Sequence, residues 1–499
     1  MDATSGTGKS GGGQLASLAN WASSLHLSDV PTRVQDFAAS HILSQLAAIR
    51  SGLGQEGGKR LIQALGRPWQ DDVAQSARVL SAAGAWLNLD DTAYAGHLGP
   101  STVGVPLAYA HHLGLSGSEL LHAVILANEC AARVTAAATL GPFRGQTALH
   151  THVVGAAAAR LACERACAEV WTDSLALALS APPWTLMRGF VTTDARLLHV
   201  PVGVRMGLDA CDAAHGGLHG AADVLEHEDG FLRQFADVPL PEVITRGLGQ
   251  RWHTETLSFK LHPGGPGIDA AIDCAVDLHN RMGTWNVDDV EEVLVEGSLY
   301  TMYAARKAEP YLDGPRTPIG ALVLTTPYPV ATALLTGHLS IHDFTAPAVG
   351  ETHRWDLAEK VRLVHDREMT RTLMRGDAPF GEALRQAGDR SHAWLRHFGG
   401  QDLVDLTGTV GAPLDDFTES AKPTPARVSV RLKGGRFHTQ QHSIPRGGIG
   451  PALRSNHQKL VAEKFLEAGG PDTVVTAWPD LVDMSPSQLG RLIESALAD

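Results

Sequence analysis

From residue 15 to about residue 280 the apolar residues recur at helical spacing and nowhere alternate with polar neighbours over the length of a strand. A chain written this way must bury its core between helices. Leu15, Leu18, Ala22 and Leu25 form one such face, and after a helix start at Asp29-Val30-Pro31 a second runs through Val34, Ala38, Ile42, Leu46 and Ile49. Ser51 to Gly58 is a glycine-rich break, helix resumes over Val73 to Leu87, and Pro106 opens another through His112. Ser116 with Glu119 three residues on forms a capping box ahead of a long helix over Leu120 to Thr139. The run GAAAAR ending at Arg160 and the stretch Leu175 to Ala181 carry small residues where helices approach closely.

Strand alternation first appears after Val287-Asp288-Asp289, at Val293 and Val295. It recurs at Val361 and Leu363 and at Val428, Val430 and Leu432, the last leading into Gly434-Gly435 and an expected hairpin. The fold class predicted is mainly α, a large all-helical domain formed by both chain ends with an inserted smaller α+β lid domain. The expected boundaries are a disordered tail over 1–13, helical domain over 14–279, lid over 280–443, and a helical return over 444–499 with helices at Leu460 to Leu466 and Leu489 to Leu497. In the tail, SGTGKSGGG imitates a phosphate-binding loop, but Ala3 replaces the motif's first glycine and no strand precedes it.

Forty-one Lys and Arg against 54 Asp and Glu leave a net charge of −13, which excludes nucleic acid or an anionic membrane as the expected partner. A small anionic substrate needs only a few cations focused in a cleft, and 24 histidines supply proton chemistry near neutrality. The five cysteines, scattered through apolar segments, read as free thiols in a reducing compartment, and Cys163 with Cys167 lacks the second pair that a metal centre needs, so no metal is expected. The most apolar run, Leu120 to Leu140, is interrupted by His122, Asn128, Glu129 and Arg133, and the N-terminus carries no signal pattern, so a cytoplasmic location is expected.

The candidate for chemistry is WLNLDDTAYAGHLGPSTVGVP, Trp86 to Pro106, which gathers Asn88, Asp90, Asp91, Thr92 and His97 in one breaker-rich stretch. Carboxylates, a hydroxyl and an imidazole so placed can donate and accept protons at a ligand. Asp-Asp-Thr before a helix is equally an ordinary capping sequence, whose side chains satisfy the free N–H groups of a first turn.

This run of motifs resembles the MmgE/PrpD family, which includes 2-methylcitrate dehydratase, cis-aconitate decarboxylase and iminodisuccinate epimerase. AWLNLDDT resembles its DFDDT segment, HLGPSTVGVPLA its HPS-and-proline helix start, LSGSELLHAVILANECAARV the helix that follows, and TPYPVATALLTG, with Tyr328, a segment of its smaller domain. The resemblance covers nearly the whole chain. It implies a helical domain with an α+β lid, no metal or organic cofactor, a homodimer, and a small carboxylate or carbonyl substrate.

Carried over residue by residue, the family pattern implies catalytic roles for Thr92, Asp91, His97, His199 and Lys260, with His97 the leading proton carrier. The family's central histidine aligns with Gln146, His150 or His152; His150 is taken as catalytic and His152 as a substrate contact, although two residues this close on a helix project differently. Asn88, Arg196 and Asp269 stand where the family has Asp, Lys and His, and with Tyr328 complete the expected substrate-binding set. Arg196 still clamps a carboxylate, Asn88 cannot accept a proton, and Asp269 repels a polyanion unless paired. As cations exposed in a cleft, Arg196 and Lys260 are expected to contribute little to folding. The implied reaction is that of a lyase, a dehydratase or decarboxylase; the alternatives are an isomerase or epimerase, and a non-catalytic binding or scaffold protein.

Overall fold

The computed structural model describes residues 13–141, 149–265 and 267–498, so the tail reading over 1–12 and the Gln146 alignment lie outside the described residues. The fold is mainly α. Its centre is the helix Gly117–Ala137, closed at its start by the expected capping box: Glu119 N–H donates to Ser116 Oγ, and Glu119 Oε2 accepts from Ser116 N–H at 2.7 Å. Leu149–Glu164 and Thr32–Leu53 pack on it, and Ala195–His215 and Val73–Ala85 pack in turn on those two helices. Small residues set the spacing, since a Cβ at Gly155 would lie 2.5 Å from Ser101 Oγ and one at Gly207 would meet the Val153 carbonyl.

Among the described residues one helix, Gly117–Ala137, is long and apolar enough to cross a membrane, and it is buried in this core. Two of its charged residues bond the backbone of the segment 244–254 there. Glu129 accepts from the N–H groups of His253 and Thr254 at 3.0 and 2.8 Å, and Arg133 donates to the carbonyls of Ile244, Arg246 and Arg251.

The strands are β1 (Asp91–Thr92), β2 (Ser258–Phe259), β3 (Val290–Gly297), β4 (Val361–His365), β5 (Ala426–Leu432) and β6 (Phe437–His442). The larger sheet runs β4-β3-β5-β6, parallel only between β3 and β4. Val290, Val293 and Val295 alternate inward, as do Val428, Val430 and Leu432 on β5, and the β5–β6 hairpin turns at Gly434-Gly435, both at φ 82°. β1 and β2 form a separate two-residue pair joining Asp91 to Phe259 and Thr92 to Ser258.

The lid core differs from the expected 280–443. It already includes Ile268, Ile272 and Ala275, because the helix Asp269–Met282 lays its apolar face on the sheet. Conversely, Leu373, Met374, Phe380, Leu384 and Trp394 pack into the larger core rather than the lid. Periodicity identifies a helix but not which of two cores receives it. From the return segment, Pro451–Glu467 and Pro486–Leu497 pack back on the large domain.

Candidate active site

The stretch after Val73–Ala85 departs from regular structure twice at non-glycine residues, Asn88 at φ 49° and Tyr94 at φ 52°, both left-handed. Between these bends, β1 pins the chain to β2, and Lys260 N–H donates to the Asp90 carbonyl at 3.1 Å. A tight turn in which Ala93 and Gly96 exchange hydrogen bonds of 2.9 and 2.8 Å then presents His97.

The two adjacent aspartates have opposite assignments. Asp91 is wholly buried and caps the turn Gly99–Thr102: its carboxylate accepts the Leu98 and Gly99 N–H groups at 3.0 and 2.6 Å and lies 3.4 Å from His41 Nε2. Burial opposes its charge, but the His41 and His97 imidazoles and the Leu98 N–H outweigh it and bring the carboxyl down to about 2. Asp91 is absent from the cleft wall, so the capping reading describes where the structure puts it. Asp90 does reach the wall, with Oδ2 at 3.2 Å from His97 Nδ1. Burial lowers the His97 pKa, yet Asp90 first and Asp91 next raise it above the ordinary histidine value, against Lys260.

His97 opens on a cavity of about 150 Å³ whose polar wall includes Asn88, Asp90, Thr92, His152, Arg196 and His199. Arg196 is 3% exposed, contrary to its expectation as a solvent-facing cation. Its Nε donates to the Trp86 carbonyl at 2.9 Å, Nη2 donates to Asn88 Oδ1, and the guanidinium lies 4.3 Å from the Phe190 ring centre. Nη1 has no hydrogen-bond acceptor among the described residues. Burial lowers the Arg196 pKa to about 10, with Asp90 opposing, which leaves it charged at neutral pH.

His152 Nδ1 lies 3.0 Å from Ser101 Oγ, and His199 Nδ1 lies 2.9 Å from Thr185 Oγ1. Burial holds His152 near 3 and His199 well below the usual value, so both imidazoles are neutral and serve as hydrogen-bonding groups. His150 takes the position opposite to its expected one. One side of Leu149–Glu164 carries His152 to the cleft, while His150 packs edge-on against Phe231 and Phe235 with centroids 5.1 and 5.7 Å away, and burial alone lowers it to about 4. Tyr328 is likewise outside the cleft: it is 1% exposed in the lid core and donates its hydroxyl to the Asp343 carbonyl at 2.5 Å. An apolar ring adjoining an interior helix face packs where the lid core needs volume, whatever its motif.

Thr92 also lines a smaller adjoining cavity with Lys260, Asp269 and Lys422. Lys260 is buried, and its Nζ bonds both Asp269 carboxylate oxygens at 3.1 Å, so the carboxylate in the family's histidine position neutralises the lysine beside it. Sequence reasoning missed Lys422, which lies in a proline-rich segment with no motif of its own. It donates to Thr92 Oγ1, and burial, then the Lys260 charge, bring it down to about 7. Lys464 is a second buried amine near 7, donating to Ser44 Oγ at 2.8 Å and to the Leu89 carbonyl.

Lys422→Met is expected to raise stability near neutral pH by about 1–3 kcal/mol, since a buried amine with one hydroxyl partner gives way to an apolar side chain of similar length. The sign follows from linkage: a lysine whose folded pKa lies below its ordinary 10.5 destabilises fully below about 7 and progressively less as pH rises toward 10.5. Chemical denaturation at pH 7 and pH 10 checks this, and a gain that fails to shrink at the higher pH contradicts it.

Titratable groups with shifted pKa values, gathered around a cavity between the helical body and the lid, mark this cleft as the candidate site for a small molecule. Residues 16–243 match the MmgE/PrpD N-terminal domain and residues 262–398 the MmgE/PrpD C-terminal domain, and the chain belongs to the MmgE/PrpD family. Comparison with curated proteins finds no match.

Proposed function

We propose that the protein is a lyase, a dehydratase or decarboxylase, that transfers a proton at the carbon next to a carboxylate or carbonyl of a small acid. The observation that carries this reading is the Asp90–His97 contact of 3.2 Å at the wall of a cavity also lined by Arg196, whose Nη1 has no acceptor among the described residues. In dehydration, neutral His97 takes the proton from carbon. The electron pair left behind spreads into the carboxylate held by Arg196, then expels the β-hydroxyl with a proton as water. In decarboxylation the carbon–carbon bond breaks instead, carbon dioxide leaves, and protonated His97 returns a proton to the carbanion.

Epimerisation is the second reading, favoured by Lys422, a group with a pKa of about 7 contacting Thr92 beside the same cleft, since inversion needs a second proton carrier. Incubation in heavy water with a panel of small carboxylic acids, followed by NMR, separates these. A lyase interconverts a saturated acid with an enoate or releases carbon dioxide, and an epimerase exchanges the carbon-bound proton without altering the skeleton. A protein that bound panel members and exchanged none of them would overturn both readings in favour of a binding or scaffold role.

The same pair makes a pH prediction. Because carboxylates raise the His97 pKa, the rate of a reaction that needs neutral imidazole falls on the acid side with a midpoint above 6.5. Asp90→Asn removes the leading raising charge while burial still acts, so the midpoint in kcat/KM is expected to move to lower pH. An unmoved acid limb would take His97 out of the proton-transfer role.

A further inference from the structure

The distribution of charge around the cleft restricts what can occupy it. Among the described residues, Lys260 is held by both oxygens of Asp269 at 3.1 Å, and Lys422 sits near 7 on Thr92, so neither offers an uncompensated positive charge. Arg196 does, through Nη1. Lys307, half-buried at the cavity wall, lies 5.2 Å from the Tyr303 ring centre. Against these cations stands the Asp90 carboxylate, whose Oδ1 is buried with no hydrogen-bond donor among the described residues. Even with Lys307 holding a second carboxylate, a tricarboxylate placed here would bring its remaining anion against Asp90 or against carbon.

Much of the wall is carbon. Phe190 stacks beneath the Arg196 guanidinium, and Met187, Val200, Tyr300, Ala304 and Leu324 continue the apolar surface from it. Apolar wall therefore begins where a clamped carboxylate ends. Burying an ionised group against such a surface is heavily disfavoured, whereas burying a methylene is worth about 0.8 kcal/mol.

We infer that the substrate is an acid with a single carboxylate and an apolar, alkyl or aryl, substituent: the carboxylate lies on Arg196 and the substituent along Phe190, Met187 and Leu324. This rests on the reading of the cleft as the substrate site, and it requires no turnover to be tested. Calorimetric titration with acetate, butyrate, hexanoate, 3-phenylpropionate and tricarballylate gives the ranking. Affinity is expected to rise about fourfold per added methylene, with 3-phenylpropionate among the tightest and tricarballylate the weakest. Phe190→Ser, at a half-buried position, is expected to flatten the series, and Arg196→Gln to weaken every monocarboxylate at least tenfold.

A flat series with the unaltered protein, tighter binding of tricarballylate, or no binding by any member overturns the inference. Circular dichroism of both variants shows that they remain folded, and should Arg196→Gln unfold, the Phe190→Ser slope decides alone. The expected ranking without any deuterium exchange in heavy water would leave this inference standing while the proton-transfer reading fails.

Discussion

His97→Asn is expected to lower carbon-bound proton exchange by about 10²–10⁴-fold, the usual contribution of one positioned acid or base. The amide keeps a hydrogen-bonding group near Asp90 Oδ2 but cannot exchange a proton near neutral pH. The imidazole side chain is 26% exposed at the cleft, so its loss should shift stability by no more than about 1–2 kcal/mol. Exchange measured in heavy water, with a urea unfolding curve beside it, separates the two effects. Undiminished exchange in a folded variant would move the proton carrier to Lys422, a group with a pKa near neutrality that contacts Thr92.

The second large effect falls on stability. Asp91→Ala removes a buried carboxylate that accepts two backbone N–H groups and faces His41, leaving those donors unsatisfied, and is expected to cost about 3–5 kcal/mol. The pH dependence has a definite sign. A carboxyl lowered from 3.8 to about 2 contributes stability that is complete above its unfolded pKa and disappears as pH falls through the folded one, a contribution of about 2 kcal/mol. The gap between the unaltered protein and the variant should therefore narrow between about pH 4 and pH 2. Urea unfolding across that range measures it, and a gap of less than about 1 kcal/mol at pH 7 would show that Leu98 and Gly99 find other acceptors.

These two neighbours show where sequence reasoning stops. The stretch from Asn88 to His97 is recognisable as a site because breaker residues, carboxylates and an imidazole lie together in the chain, but nothing local distinguishes Asp90 from Asp91. The distinction arises when β1 pairs with β2, turning one carboxylate toward His97 and the other under the Gly99–Thr102 turn. His150 and His152 present the same case: helical geometry says they diverge, and only the packing of Phe231 and Phe235 on one side and Ser101 on the other says which reaches the cleft. Lys422 had no signal at all, because its role depends on contact with Thr92, 330 residues away.

What the sequence determined by itself is local in origin: the helices and their Ser116–Glu119 cap, the alternating strands at 293–295 and 428–432, and the mainly α class with its inserted sheet. Backbone periodicity and hydrogen bonds between residues a few positions apart set those features. The tertiary structure alone decided that Arg196 is buried on Asn88 and Phe190, that Asp269 neutralises Lys260, and that the lid core begins near Ile268. Each depends on burial, and whether a charge is paired, orphaned or shifted in pKa is set by groups that folding brings together from distant parts of the chain.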